Sequence, residues 1–329
     1  VCSLWDRGNP TVLVSSGAVA AGIPEFGGRP KDITELQVAA AIGQGRLMEN
    51  YSRAFANEAR VVGQVLLTKD ILGIRNQYLH SRQALGRMLE LGVVPIVNEN
   101  DTVAVEELKL GDNDRLAAIV SHLVGANLLI LLTDTDGLYA KDPRFDADAE
   151  LLGALRHNDA ILDELASGGS GPLGSGGVGT KVVAARMAAW SGVPTVIAPA
   201  GSTDAALRAV NGEEIGTWVA PHTEKLASRK LWIAFGLASE GQVVVDDGAA
   251  MALTQRGSSL LAVGATSVSG DFVTGAAVEV LDQAGRLLAK GTMNVGSEAA
   301  RRAVGKRSSE LTGWDGEMIH RDNLVVLDE

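Results

Sequence analysis

Short runs in which every residue is apolar set the strongest limit on what this chain can become. Residues 12–14 (VLV), 93–97 (VVPIV) and 128–132 (LLILL) offer no polar face at all. A strand of that kind is buried on both sides, so helices must cover both faces of its sheet. Residues 11–14, 61–67 and 195–198 extend the series of strand candidates. Helical spacing fills the intervals. Within residues 35–59, Leu36, Ala40, Gly43, Leu47, Tyr51 and Phe55 recur at three- and four-residue steps along one face. Residues 76–91, 113–124, 180–192 and 204–211 carry similar patterns. The alternation predicts an α/β fold, a mostly parallel sheet with helices on both faces.

The character changes near residue 222. Residues 222–230 (HTEKLASRK) read as a polar connector, and beyond them short strand-like runs are broken by glycine. These runs are 231–235, 242–245, 260–263, 276–281 and 324–327, with short helices at 248–256 and 298–304. Turn chemistry separates them at Asp246–Asp247–Gly248 and Ser269–Gly270–Asp271. The division expected is a domain at 1–222, a linker at 223–230 and a small β-rich domain at 231–329.

Charge and cysteine content narrow the function classes. The net charge of -11 disfavours general binding to nucleic acid or anionic membrane. The single cysteine, Cys2, excludes an intrachain disulfide and fits a reducing cytoplasm. No run has the length of a membrane span. The five histidines lack metal-ligand spacing, so no metal site of protein ligands is expected.

Chemistry gathers where apolar runs end. The strand at 93–97 stops in Asn98, Glu99, Asn100 and Asp101, and a second knot, Asp112, Asn113 and Asp114, opens the next helical pattern. In open α/β folds, ligands bind at that carboxyl edge. Carboxylates accept from an ammonium group and amides donate to a carboxylate, which suits a small zwitterion. Ser15–Ser16–Gly17–Ala18 follows the first strand, where small residues and a helix start favour an anion. Thr133–Asp134 follows the strand at 128–132 and suits a nucleotide base or ribose. Residues 168–181 (GGSGPLGSGGVGTK) hold seven glycines in fourteen positions and open a helix from 182 to 190. Amides of such a loop cradle phosphate oxygens and Lys181 neutralises them, although no Walker A spacing is present. Each motif alone also fits a bland reading as a turn, a helix cap or a surface loop.

Taken in order, VSSGAVAAG (14–22), VPIVNEND (94–101), GDND (111–114), LLTDTDGLY (131–139) and GGVGTK (176–181) resemble the amino acid kinase family. Within it they resemble the enzymes that phosphorylate glutamate, and VDDGAAMAL and RGSSLLAVG resemble the PUA domain found behind many of them. The likeness runs from about residue 11 to the end. It implies transfer of the ATP γ-phosphoryl group to the side-chain carboxylate of L-glutamate, the first step toward proline. It also implies roles. Ser16, Asp101 and Asn113 would bind glutamate, and Thr133 and Asp134 the adenine nucleotide. Ser175, Gly176, Gly177, Val178, Gly179, Thr180 and Lys181 would hold the phosphates. Asp114 would organise the active-site lysines, with Lys181 and Asp114 as the catalytic pair. Mg²⁺ would be bound through the ATP phosphates. Feedback inhibition by proline, a homodimer or homotetramer and a cytoplasmic location follow from the same likeness.

One departure carries an expectation of its own. The family opens with a strand bearing K-x-G-[ST]-S, and residues 1–10 do not match it. The kinase domain is therefore expected to be N-terminally incomplete. A missing lysine contact costs on the order of 10² to 10³ in rate, so the chain as given is expected to be inactive or nearly so. The alternatives are a kinase for another acceptor, or a non-catalytic protein that senses glutamate or proline or binds RNA through its PUA-like part. Residues 231–329 carry 8 Lys and Arg against 13 Asp and Glu, which opposes RNA binding.

Overall fold

The computed structural model describes residues 1–103, 113–146, 148–166, 176–223 and 225–327. The chain divides into two compact units, Val1–Lys225 and Leu226–Glu329.

The first unit begins with a short helix, α1 (Cys2–Asp6), then β1 (Leu13–Val14), α2 (Ala18–Phe26) and α3 (Ile33–Ala56). There follow β2 (Val62–Leu67), a 3₁₀ turn (Lys69–Leu72), α4 (Arg75–Glu90), β3 (Val94–Glu99), α5 (Asn113–Val124) and β4 (Leu129–Thr133). The remainder is β5 (Ala154–Leu155), α6 (Ala160–Ala166), α7 (Gly176–Trp190), β6 (Thr195–Pro199), α8 (Ala205–Val210) and β7 (Thr217–Val219). The strands form two sheets, β1-β3-β2 and β4-β6-β7-β5. The first is wholly parallel, and in the second only the β6–β7 pair is antiparallel. Pro95 sits within central strand β3. It is tolerated because β1 pairs only with Ile96 and Val97, beyond it.

Helix α5 joins the two sheets, because it packs on β1, β3 and β4 alike. Leu116, Ala118, Ile119, Val120 and Leu123 are all buried, so the helix is apolar almost all round. It also packs on α7, whose buried Ala184, Ala185, Ala188 and Ala189 allow close approach. Ile96 and Val97 are fully buried, and Ile96 packs with Phe55 of α3 and with Trp5 of α1. Residues 1–10, which lack a readable period, nevertheless place Leu4 in the interior.

Helices α2 and α3 meet at a seam of small residues. A Cβ on Gly22 would lie 1.9 Å from the Ala39 carbonyl oxygen, and one on Gly43 would lie 1.8 Å from that of Ala18. Only glycine permits backbones this close. Asp32 caps α3 by accepting from the Glu35 amide at 2.8 Å.

The second unit contains α9 (Ser228–Leu231), β8 (Ser239–Val245), α10 (Asp247–Arg256), β9 (Leu260–Leu261), β10 (Ala265–Gly270) and β11 (Ala277–Leu281). It closes with β12 (Leu287–Thr292), α11 (Ser297–Ala303), β13 (Glu317–Ile319) and β14 (Leu324–Val326). A five-stranded mixed sheet, β10-β8-β11-β12-β14, and the pair β13-β9 enclose a core around Val243, Val278, Val280 and Leu288.

Three expectations need correction. Residues 231–235 are not a strand. Helix α9 runs into a π-helical turn, Trp232–Gly236, because Leu231, Ile233 and Ala234 are buried and a short apolar run carries no period of its own. The run at 260–263 is a strand only over Leu260–Leu261 and then turns as a 3₁₀ helix. His222 is no solvated connector residue. It is buried and stacks on Trp190 at a ring separation of 4.2 Å.

Candidate active site

The site is built on three strand ends and three helix starts, those of α2, α5 and α7. At the end of β1, Ser15 is buried, and its amide donates to the Val97 carbonyl at 2.8 Å. Its hydroxyl lies 2.8 Å from that of Tyr51 on α3. Ser16 follows, exposed, and Gly17 adopts φ 94° to start α2. The glycine is required there, because that backbone region is left-handed.

At the end of β3 the chain changes from apolar to amide. Asn98 is buried, donates to Gln44 Oε1 at 2.7 Å and accepts from Asn113 Nδ2 at 2.9 Å. Asn113 Nδ2 also donates to the Ser15 carbonyl at 2.6 Å. The first residue of α5 is thus tied at once to the ends of β1 and β3. Among the described residues, buried Gln44 Nε2 has no acceptor.

Beside this amide relay lies a charged group. Lys69 Nζ is 3.5 Å from Glu99 Oε1, both side chains mostly buried. Burial raises the Asp101 carboxyl above its ordinary value, and Lys69 pulls it partly back. A carboxylate held against desolvation is poised to gain from a cationic ligand group.

The next residue of α5 faces the other half of the site. Lys181 Nζ donates to both carboxylate oxygens of Asp114 at 3.1 Å, and Thr180 Oγ1 donates to Asp114 Oδ2 at 2.8 Å. The side chains of Lys181 and Asp114 are each 15% exposed. Helix α7 begins at Gly176, so residues 176–181 are helical rather than loop, contrary to the expectation of a helix from 182. Glycine at the start suits a close approach, since a Cβ on Gly179 would lie 3.1 Å from the Ala166 carbonyl. A helix start of this kind, with Lys181 just over one turn further on, has the chemistry that an anion requires. Asp112, Ser175 and the glycine run at 168–174 lie outside the described residues.

At the end of β4, Thr133 is buried with its hydroxyl 3.3 Å from Asp134 Oδ1, while Asp134 is exposed. Among the described residues no cluster of three or more His, Cys, Asp or Glu could hold a metal ion. Nor is any described helix long and apolar enough to cross a membrane.

The sequence model of the amino acid kinase family matches residues 1–199, and that of the PUA domain matches residues 241–313. The chain belongs to the amino acid kinase family. The match begins at residue 1, ahead of the position from which the motifs were legible. A glutamate 5-kinase of Chromobacterium violaceum is 44% identical over 99% of this chain and 90% of its own length. One from Hahella chejuensis is 46% identical over 99% of this chain and 86% of its own. Among solved structures, UMP kinase from Bacillus anthracis aligns with TM-score 0.45 at 14% identity, over 66% of this chain and 82% of that one.

The geometry brings together Asn113, Asp114, Thr180 and Lys181 from the motifs. It places Asp101 within electrostatic reach of Lys69, which is itself paired with Glu99. Sequence reasoning missed Gln44, Tyr51 and Lys69 as neighbours of the site. Gln44 was the findable one. It is a glutamine next to Gly43 on the apolar face of a long helix, where a polar group needs a partner.

Proposed function

We infer that this chain is a glutamate 5-kinase, transferring the γ-phosphoryl group of ATP to the side-chain carboxylate of L-glutamate. A carboxylate oxygen bonds to the γ-phosphorus as the bond to the bridging oxygen of ADP breaks, giving glutamyl 5-phosphate. One observation carries the reading beyond kinship. Consecutive residues, Asn113 and Asp114, belong to the amide relay and to the Lys181 anion site respectively. Acceptor and donor sides are thereby set one residue apart on a rigid helix.

The division of labour follows from charge. Asp101 accepts the ammonium of glutamate, which offsets the burial that strains its carboxylate. The start of α2 beside Ser16 receives a substrate carboxylate, and Asn113 fixes the register between the two. The amides of residues 176–179 and the Lys181 ammonium take the phosphates, with Asp114 and Thr180 holding the lysine in place. Phosphoryl transfer asks chiefly for alignment and charge neutralisation, which these groups supply. Thr133 and Asp134 stand where a nucleotide base or ribose would be held. Mg²⁺ would be held through the phosphates, since Asp114 is already engaged with Lys181 and Thr180. When bound there, the ion supplies further neutralisation of the transferred group.

Proline as a feedback inhibitor in the glutamate pocket, a homo-oligomer and a cytoplasmic location belong to the same reading. The test is hydroxylamine trapping of the acyl phosphate, alongside ADP release, with glutamate, aspartate, acetylglutamate and a nucleoside monophosphate as acceptors. Glutamate hydroxamate as the dominant product supports the assignment. A different dominant acceptor overturns it.

A further inference from the structure

Two polar side chains of α3, Gln44 and Tyr51, reach the site from behind. They stand about two helical turns apart and so lie on the same side of the helix. Gln44 Oε1 accepts from Asn98 Nδ2 at 2.7 Å, near the end of β3. The Tyr51 hydroxyl lies 2.8 Å from that of Ser15, just after β1. The Tyr51 ring packs into the cluster of Phe55, Val94 and Ile96, which fixes where its hydroxyl stands. Asn113, the first residue of α5, closes a ring between these two ends. Its Nδ2 donates to the Ser15 carbonyl at 2.6 Å and to Asn98 Oδ1 at 2.9 Å. Helix α3 thus holds each of the two residues that hold Asn113.

The amides of this ring can run in one direction only. A carbonyl oxygen only accepts, so Asn113 must turn its NH₂ group to Ser15. A backbone N–H only donates, and the Glu99 amide donates to Asn98 Oδ1 at 2.9 Å. Asn98 must therefore turn its NH₂ group to Gln44, and Gln44 must answer with its oxygen. Both protons of the Asn113 amide are engaged by the protein, which leaves Oδ1 as the atom of that amide with which to meet a ligand. The bland reading is that buried amides merely satisfy one another here. Satisfaction alone gives no reason for the ring, because an apolar set of the same shape is about as stable as a hydrogen-bonded one. What a buried polar network of fixed direction adds is a single defined arrangement.

We propose that Gln44 and Tyr51 are positioning residues of the amino-acid pocket: they hold Asn98 and Ser15 so that Asn113 offers a ligand its carbonyl oxygen, and the pocket thereby selects a phosphoryl acceptor that carries a free ammonium group. The proposal rests on the reading of that pocket as the amino-acid site. Neither residue touches the ligand, and each acts through the residue it holds. Asp101 supplies the attraction for the ammonium group and Asn113 its direction.

The test is calorimetric titration of the full chain with glutamate and, separately, with a non-hydrolysable ATP analogue, in Gln44→Met, Gln44→Glu and Tyr51→Phe. Q44M removes the oxygen that Asn98 needs while keeping the length of the side chain, and Q44E restores an oxygen. The expected result for Q44M is a loss of about five- to tenfold in glutamate affinity, with nucleotide affinity within about twofold of the parent. Q44E should bind glutamate within about twofold of the parent, and Y51F should lose about two- to fivefold. Glutarate, the same diacid without the ammonium group, should compete with glutamate no better in the parent than in Q44M. NMR of the Asn98 and Asn113 side-chain NH₂ groups reads the ring without any ligand, and their slow exchange with solvent should be lost in Q44M and kept in Q44E. If Q44M fails to fold, Y51F against Q44E makes the same comparison. A parent that binds no glutamate overturns the reading of the pocket, and the proposal falls with it. A parent that binds glutamate no better than Q44M does, or equal losses for glutamate and nucleotide, overturns the role of the ring alone.

Discussion

Gly43→Ala should damage both the fold and the glutamate pocket, although residue 43 touches no ligand. The added Cβ would fall 1.8 Å from the Ala18 carbonyl oxygen and 2.5 Å from the Gly22 nitrogen. That is about 1.6 Å short of ordinary contact, and both obstacles are backbone, so no side chain can swing aside. Helix α2 must move off α3. Forced separation of this kind typically costs about 1–3 kcal/mol. For a unit of this size that is a fall in Tm of about 2–12 °C. Ala18 is also the first residue of α2, immediately after Ser15–Ser16–Gly17, so the helix start shifts with it. Losing one hydrogen bond to a charged substrate group costs about 1.5–3 kcal/mol, roughly ten- to a hundredfold in glutamate affinity. Thermal unfolding and calorimetric titration of glutamate measure the two effects. Gly45→Ala is the control. It lies in the same helix with nothing within 4 Å of its Cβ, and should stabilise by about 0.5–1 kcal/mol. If Gly43→Ala matched the parent in both Tm and affinity, the backbone seam would not be what positions the helix start.

Asp101→Asn should weaken glutamate binding while leaving Tm at pH 7 equal to or above that of the parent. The folded Asp101 carboxyl titrates above 3.8, so the folded state retains a proton that the unfolded chain has lost, and stability falls as pH rises through that window. The advantage of the asparagine should vanish below pH 3.8, and a lower Tm at pH 7 would contradict this. Asp114→Asn leaves Lys181 mostly buried without its counter-charge. It should cost about 2–3 kcal/mol of stability and on the order of 10² in phosphoryl transfer. Adding Lys181→Met should restore Tm but not turnover, which a double-mutant cycle reads directly. His122 titrates below 6.5 in the folded state, so the unfolded chain binds the extra proton as pH falls below 6.5, and stability is lost there. His122→Gln should therefore lose less Tm between pH 7 and pH 5 than the parent does, and an equal loss would refute the assignment.

The parallel framework was legible because strands 93–97 and 128–132 have no polar face, and α3 because its apolar residues keep a helical step over about five turns. The knots at Asn98–Asp101 and Asn113–Asp114 were legible because amides and carboxylates interrupt apolar runs abruptly. What escaped was whatever depends on partners far along the chain. Strands β5 and β7 have only two and three residues and acquire their state from each other. Residues 231–235 looked like a strand because five apolar residues have no period, and burial chose the helical turn Trp232–Gly236. Residues 176–181 looked like loop because glycine is a poor helix former. Packing of α7 against α5 and α6 overrides that propensity. Lys69 was invisible as a site residue because nothing in the sequence brings it to Glu99, and Gln44, although marked as a polar residue on an apolar face, gave no sign that its partner is Asn98.

The central claim is that Asn113 serves the amino-acid half of the site and Asp114 the phosphate half. Calorimetric titration of Asn113→Ala with glutamate and, separately, with a non-hydrolysable ATP analogue tests it without requiring turnover. The expected result is a loss of glutamate affinity of at least tenfold with nucleotide affinity essentially unchanged. Glutamate binding equal to that of the parent, or equal losses for both ligands, would contradict it.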